Sequence, residues 1–435
     1  MKKTILAVLS IFMATAAFAQ KANIKKVQRM LDYAEPAIQI DLSNLDPEKR
    51  EEMKKLIEEA LVNPETENNF KTWEYKARLE VYDRIEIMAP YVANGNSFVD
   101  KDHMKKFFQN EKDIVVAFEK YYKLITTPDD KGKLPLKDDD FQKQKVIAQQ
   151  ASLASRTNLY VGATQFIYDD ADFALDLLEN YYKSFDDPLF ADQDLKNTDP
   201  NYKESAYVYA TALKEKNGVN DKVVELLEKS LETHNGAYAC QELITYYRDK
   251  KDQANEIKYL KMAYEKYPKF LVFGVQYAET FLQHAAEKPE NYQEAVKICD
   301  TLIQRMKDGS VSKVDANGNP IDDTNNYLIY YYKALSLFNT QHFKESYETF
   351  AEGDEICPGH MDLVCGAGKA AFKYAFENID NKEVCNPMFE KAVEYFTKAE
   401  ESWPDKPEEW GYNLYVCYHN LGNDAMKQKY VKYAE

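Results

Sequence analysis

Glycine and proline are scarce: the chain of 435 residues has 14 of the first and 15 of the second, where average usage would give roughly 30 and about 22. Sheet-rich folds need many tight turns, and glycine supplies most of their positive-φ positions. The shortage therefore excludes a turn-dense β architecture and predicts long helices. Cysteine is absent before position 240, and the six present, Cys240, Cys299, Cys357, Cys365, Cys385 and Cys417, fit no compact disulfide scaffold. Cys240, Cys299 and Cys417 lie among apolar helical residues, where a thiol acts as a small hydrophobe. Cys357, Cys365 and Cys385 with His360 carry soft donors, but their spacing matches no zinc motif. No metal or cofactor is expected.

A positive excess is missing too. Lysine and arginine number 56 against 73 aspartates and glutamates, a formal charge of −17. Such a surface disfavours nucleic acid and anionic lipid, both polyanions. No stretch approaches the ~20 continuous apolar residues of a membrane-spanning helix. Catalytic signatures are also lacking: no G-x-S-x-G, H-E-x-x-H, P-loop or G-x-G-x-x-G occurs. Asp138 to Asp140, and Asp169, Asp170 and Asp172, lack the spaced ligands of a calcium loop and read as carboxylates at helix starts. An enzyme is not expected.

What is present begins with a leader. Lys2 and Lys3 precede an apolar run from Ile5 to Phe18, closed by the A-x-A site Ala17-Phe18-Ala19. This predicts a signal peptide over 1–19, cleavage after Ala19, and an exported, most simply periplasmic, protein. No cysteine follows the run to take a lipid anchor.

The rest carries a repeat. In MFEKAVEYFTKAEESWP, Ala392 and Phe396 are followed by Ala399 and Pro404; in HFKESYETFAEGDEICP, Ser346 and Phe350 by Gly353 and Pro358. DQANEIKYLKMAYEKYP gives Glu256, Leu260, Ala263 and Pro268 at the same offsets. Positions four apart share one helix face, a small residue admits a neighbouring backbone, and proline ends the helix. NYQEAVKICDTLI, with Ala295 and Cys299, supplies an intervening copy. Surplus residues between the copies fall in HAAEKPEN, KDGSVSKVDANGNPIDDTNN and ENIDNKEVCNP, read as loops. Upstream, amphipathic helices are predicted in PEKREEMKKLIEEALVNPE, NEKDIVVAFEKYYKLI and DADFALDLLENYYKSF, over about Phe141–Ile167, and in the pair SAYVYATALKE and DKVVELLEKSLE, giving about seven or eight helix pairs.

The pattern resembles the second helix of the tetratricopeptide (TPR) repeat, A-x3-F…P, with a looser first helix in CQELITYY, YYYKALSLF and NLYVCYHNLG. The clearest copies span 237–268, 327–358 and 387–435, within an array expected over 20–435. Asn63-Pro64 and Trp73 add a likeness to exported TPR proteins of gram-negative bacteria. The resemblance implies an all-α fold, an α-solenoid of antiparallel helix pairs in a TPR-like superhelix. It also implies a concave groove, lined by the first helices, that takes a protein or peptide partner. The groove-facing offsets are Tyr238, Gln241, Thr245 and Arg248 in one copy, and Leu328, Tyr331, Leu335 and Phe338 in another. The Lys/Asn clamp by which some TPRs hold a C-terminal carboxylate is absent from both sets. The expectation is a non-catalytic binding scaffold of the periplasm or cell envelope. The alternative is a carbohydrate-binding protein of a glycan-uptake system.

Overall fold

The computed structural model describes residues 21–31, 46–311 and 326–434. The leader over 1–19 and most of the loop after Lys307 lie outside the described residues. The chain forms two compact units, Met1–His234 and Asn235–Glu435. The first contains α1 (21–31), α2 (Pro47–Leu61), α3 (Phe70–Ala93), α4 (Lys101–Thr126), α5 (Asp138–Phe166), α6 (Ala171–Ser184), the short α7 (Leu195–Thr198), α8 (Asn201–Asn217) and α9 (Asp221–Ser230). In the second, α10 (Gly236–Asp249), α11 (Gln253–Lys266), α12 (Leu271–Gln283), α13 (Glu290–Lys307) and α14 (Asn326–Asn339) come first. They are followed by α15 (Phe343–Ile356), α16 (Met361–Glu377), α17 (Lys382–Ser402), α18 (Pro407–Asn420) and α19 (Asp424–Tyr430). No strand occurs among the described residues.

Within each unit the long helices pack on their chain neighbours. The fold is thus all-α and built as a solenoid of antiparallel helix pairs. In the second unit α12, α14, α16 and α18 also touch one another in file, while no contact of that extent joins α13 to α15 or α15 to α17. The first helices therefore crowd together on one side of this unit and the second helices spread apart on the other.

The repeated proline has the same structural consequence each time. α11, α15 and α17 end one residue before the cap positions Tyr267, Cys357 and Trp403, and each cap N–H donates to the carbonyl of the small residue four back. The acceptors are Ala263, Gly353 and Ala399, each at 2.8 Å. The cap residues lie outside helical φ/ψ, as a residue before proline must. Small side chains at these slots bring neighbouring helices close: a Cβ on Gly353 would sit 2.7 Å from the Cβ of Tyr330. Asp46, Asn69, Asp100, Asp170, Asn220 and Asp252 accept from backbone N–H groups at their helix starts. Of the acidic run at the start of α6, Asp170 is the cap, whereas Asp169 pairs with Lys101 and Asp172 with Lys216. One predicted loop is corrected: of ENIDNKEVCNP, only Asn378–Asn381 is non-helical, and Lys382 onward opens α17. Buried Cys385 and Phe389 anchor that first stretch in the core, which holds Pro387 inside the helix.

The first unit buries charge as well as hydrocarbon. Half-buried Glu119 on α4 has an Oε1 that is shut off from solvent with no hydrogen-bond partner. Desolvation pushes its pKa up to about 8; Asp187 adds to the rise, and Lys183 and Arg156 oppose it. In the unfolded chain an ordinary Glu titrates near ~4.3. Between those values folding takes up a proton, so Glu119 erodes stability as pH rises from about 4.5 and the loss is complete above about 8. Glu119→Gln should therefore be more stable than the parent at pH 8–9, with the gain fading toward pH 5. Urea midpoints measured across that range check it; a gain independent of pH would refute the assignment.

Candidate functional site

α14 has two faces. Ile329, Tyr330, Ala334 and Ser336 are buried, while Leu328, Tyr331, Leu335 and Phe338 are half-buried on the remaining surface. Tyr331, Leu335 and Phe338 recur at i, i+4 and i+7, which sets them in one row along the helix. Across from them α16 presents Met361, Asp362, Cys365, Gly366 and Lys369. Between the two helices lies a slot of about 150 Å³, floored by Phe350 of α15 and reached from α18 by Glu409.

Glycine shapes this floor. A Cβ on Gly366 would stand 2.5 Å from Cε1 of Phe350, so only glycine lets the ring lie against the α16 backbone. Tyr331 and Phe350 are tilted by 54° with centroids 6.2 Å apart. The slot is apolar within and charged at its rim. Lys369 Nζ donates to Glu409 Oε2 at 2.5 Å, which neutralises that side. Asp362 is exposed and no ion pair answers it among the described residues. Burial raises the phenol pKa of Tyr331, and the Asp362 carboxylate and Tyr327 add to the rise.

The expected site residues separate on inspection. Tyr331, Leu335 and Phe338 share the slot, whereas Leu328 lines no part of it, although Leu328, Tyr331 and Phe338 all pack against the same core cluster. Tyr238, Gln241, Thr245 and Arg248 lie on α10 and line no part of it. Thr245 is turned back on its own helix, donating to the Gln241 carbonyl at 3.0 Å. Arg248 is committed to Glu256 at 2.7 Å and Gln276 at 3.3 Å. The α16 contribution was not anticipated. A step of about 34 residues from Tyr327 lands on Met361, and the groove-facing offsets counted from there include Asp362, Cys365 and Lys369.

The chemistry of the slot is that of contact. Burial pushes the Cys365 thiol up to about 11, so it stays protonated and is a poor nucleophile near neutrality. Cys299 rises to about 12 for the same reason. All six cysteines are buried and unbridged. Among the described residues, no three His, Cys, Asp or Glu side chains gather as metal ligands. A larger cavity, about 370 Å³, lies among α11, α12 and the start of α13, with Gln253, Phe281, His284 and Lys288 in its wall. No described helix is long and apolar enough to cross a membrane.

No protein-family model and no curated protein matches the sequence. Solved structures similar to the chain include the P58(IPK) TPR domain, at 11% identity and TM-score 0.25 over 92% of this chain and 99% of that one. The APC/C hetero-tetramer Cut9–Hcn1 matches at 12% and 0.25, over 88% and 83%. A circular tandem repeat protein matches at 10% and 0.22, over 96% and 95%. Likenesses this low leave the TPR-like character resting on the chain's own repeat, its helix pairs and its caps.

Proposed function

We propose that the chain is a non-catalytic scaffold of the periplasm or cell envelope, and that the α14–α16 face of its second unit holds a protein or peptide partner. The observation that carries this reading is the slot itself. Tyr331, Leu335 and Phe338 line an apolar opening between first helices that the second unit's own core leaves unfilled. Apolar pockets with a few placed polar groups are where binding energy concentrates. The placement in the envelope draws on the basic, apolar and A-x-A order of residues 1–19.

A glycan bound at the slot would need a flat ring face turned to solvent there, and Tyr331 is instead tilted against Phe350. Calorimetric titration against a glycan panel is therefore expected to be flat. For the peptide reading, Tyr331→Glu should weaken capture of the cognate partner from envelope extract at least tenfold while the melting curve holds. Leu335→Lys serves as the second variant if Tyr331→Glu lowers the melt. Unchanged capture by a folded variant would overturn the proposal.

A further inference from the structure

We infer that the slot selects a peptide segment bearing one ring- or leucine-sized apolar side chain next to a lysine or arginine; the inference rests on the groove reading above. Size gives the first half. A cavity of ~150 Å³ lined by apolar side chains accepts a benzene-sized group, and this slot measures about 150 Å³. One phenylalanine, leucine or methionine side chain fits; two do not. Tyr331, Leu335, Phe338, Phe350 and Met361 supply the apolar wall.

Charge gives the second half. Of the three charged groups at the rim, Lys369 and Glu409 cancel each other at 2.5 Å. Asp362 is left as the uncompensated charge at the mouth, one turn of α16 from Cys365 and Gly366. A cationic side chain flanking the anchor would meet that carboxylate, whereas an anionic one would meet it and the chain's overall excess of −17. The occupant is a chain segment because the lining runs from α14 across α16 to Glu409 of α18. An isolated small molecule filling the slot would leave the rim charge unanswered.

The test is display selection of random 12-residue peptides on the full chain, followed by fluorescence anisotropy of the selected sequences. Selected peptides should share an apolar residue beside Lys or Arg. Replacing the apolar residue by alanine, or the cation by glutamate, should weaken each at least tenfold, and the cation's share should shrink with added salt. Asp362→Lys, a substitution at an exposed position, should reverse the preference so that the glutamate version binds better. Peptides that need Tyr331 but show no cation preference, or ignore Asp362→Lys, would sink this inference and leave the groove reading standing. If no selected peptide depends on Tyr331 or Leu335, both fall.

Discussion

Replacing Arg156 by methionine is expected to destabilise the first unit by about 3–5 kcal/mol, the range for breaking a buried ion pair from one side. Arg156 on α5 is 1% exposed, and its guanidinium pairs with Asp199, just before α8. Its Nε donates to Ser184 Oγ at 2.5 Å, and Tyr181 OH donates to Asp199 at 2.8 Å. The Tyr181 and Phe185 rings stand 4.5 and 4.0 Å from the guanidinium carbon. One side chain thus ties α5, α6 and the entry to α8. Methionine keeps much of the apolar contact and leaves Asp199 buried without its cation. Arg156→Met with Asp199→Leu should cost clearly less than the two single effects added together, because no orphan charge remains.

Equilibrium urea unfolding combined with hydrogen exchange read by mass spectrometry provides the measurement. Amide protection should fall across α5, α6 and α8 and persist in residues 235–435, which form a compact unit of their own. Helical repeat arrays are stabilised largely by neighbour-to-neighbour interfaces, so damage is local. A loss under 1 kcal/mol would mean the pair contributes little, and a uniform loss of protection would mean the two units unfold as one.

This network was illegible in the sequence, and the reason is physical. Arg156 sits in an ordinary amphipathic pattern, and Asp199 lies on another element 43 residues away; nothing local records that they meet. The repeat was legible because each copy restates one local constraint. Leu260, Phe350 and Phe396 point into the core, small residues follow, and proline forces the cap that Tyr267, Cys357 and Trp403 adopt. The slot was half legible. Tyr331, Leu335 and Phe338 belong to a first helix with recognisable aromatics, whereas α16 reads MDLVCGAGKAAF and carries mostly small residues. Those small residues are why it receives large neighbours, and why no bulky first-helix pattern marks it in the sequence. On α10, Arg248 is held by partners on α11 and α12 that its own helix does not reveal.

The notching of α16 leads to the second large effect: Phe396→Ala should cost about 3–5 kcal/mol, as for a fully buried ring. Phe396 is 0% exposed, and a Cβ on Gly368 would stand 2.8 Å from its Cε1. Phe350 meets Gly366 in the same way from α15. α16 is therefore cut on two sides by glycines, each seating the bulky residue of one flanking second helix. Gly368→Ala alone sets two terms against each other. Helix propensity gains up to ~1 kcal/mol, while overpacking costs about 1–3 kcal/mol, and with the ring fixed by the core the loss should win. In a Phe396→Leu background the ring edge is gone, so the added methyl has room and the sign should turn toward stabilisation. A double-mutant cycle on urea midpoints should give a coupling of at least about 0.5 kcal/mol. Strict additivity would show that Gly368 is present for some reason other than the ring, and the bulky slot of the repeat would then owe its tolerance to backbone separation instead of to the paired glycine.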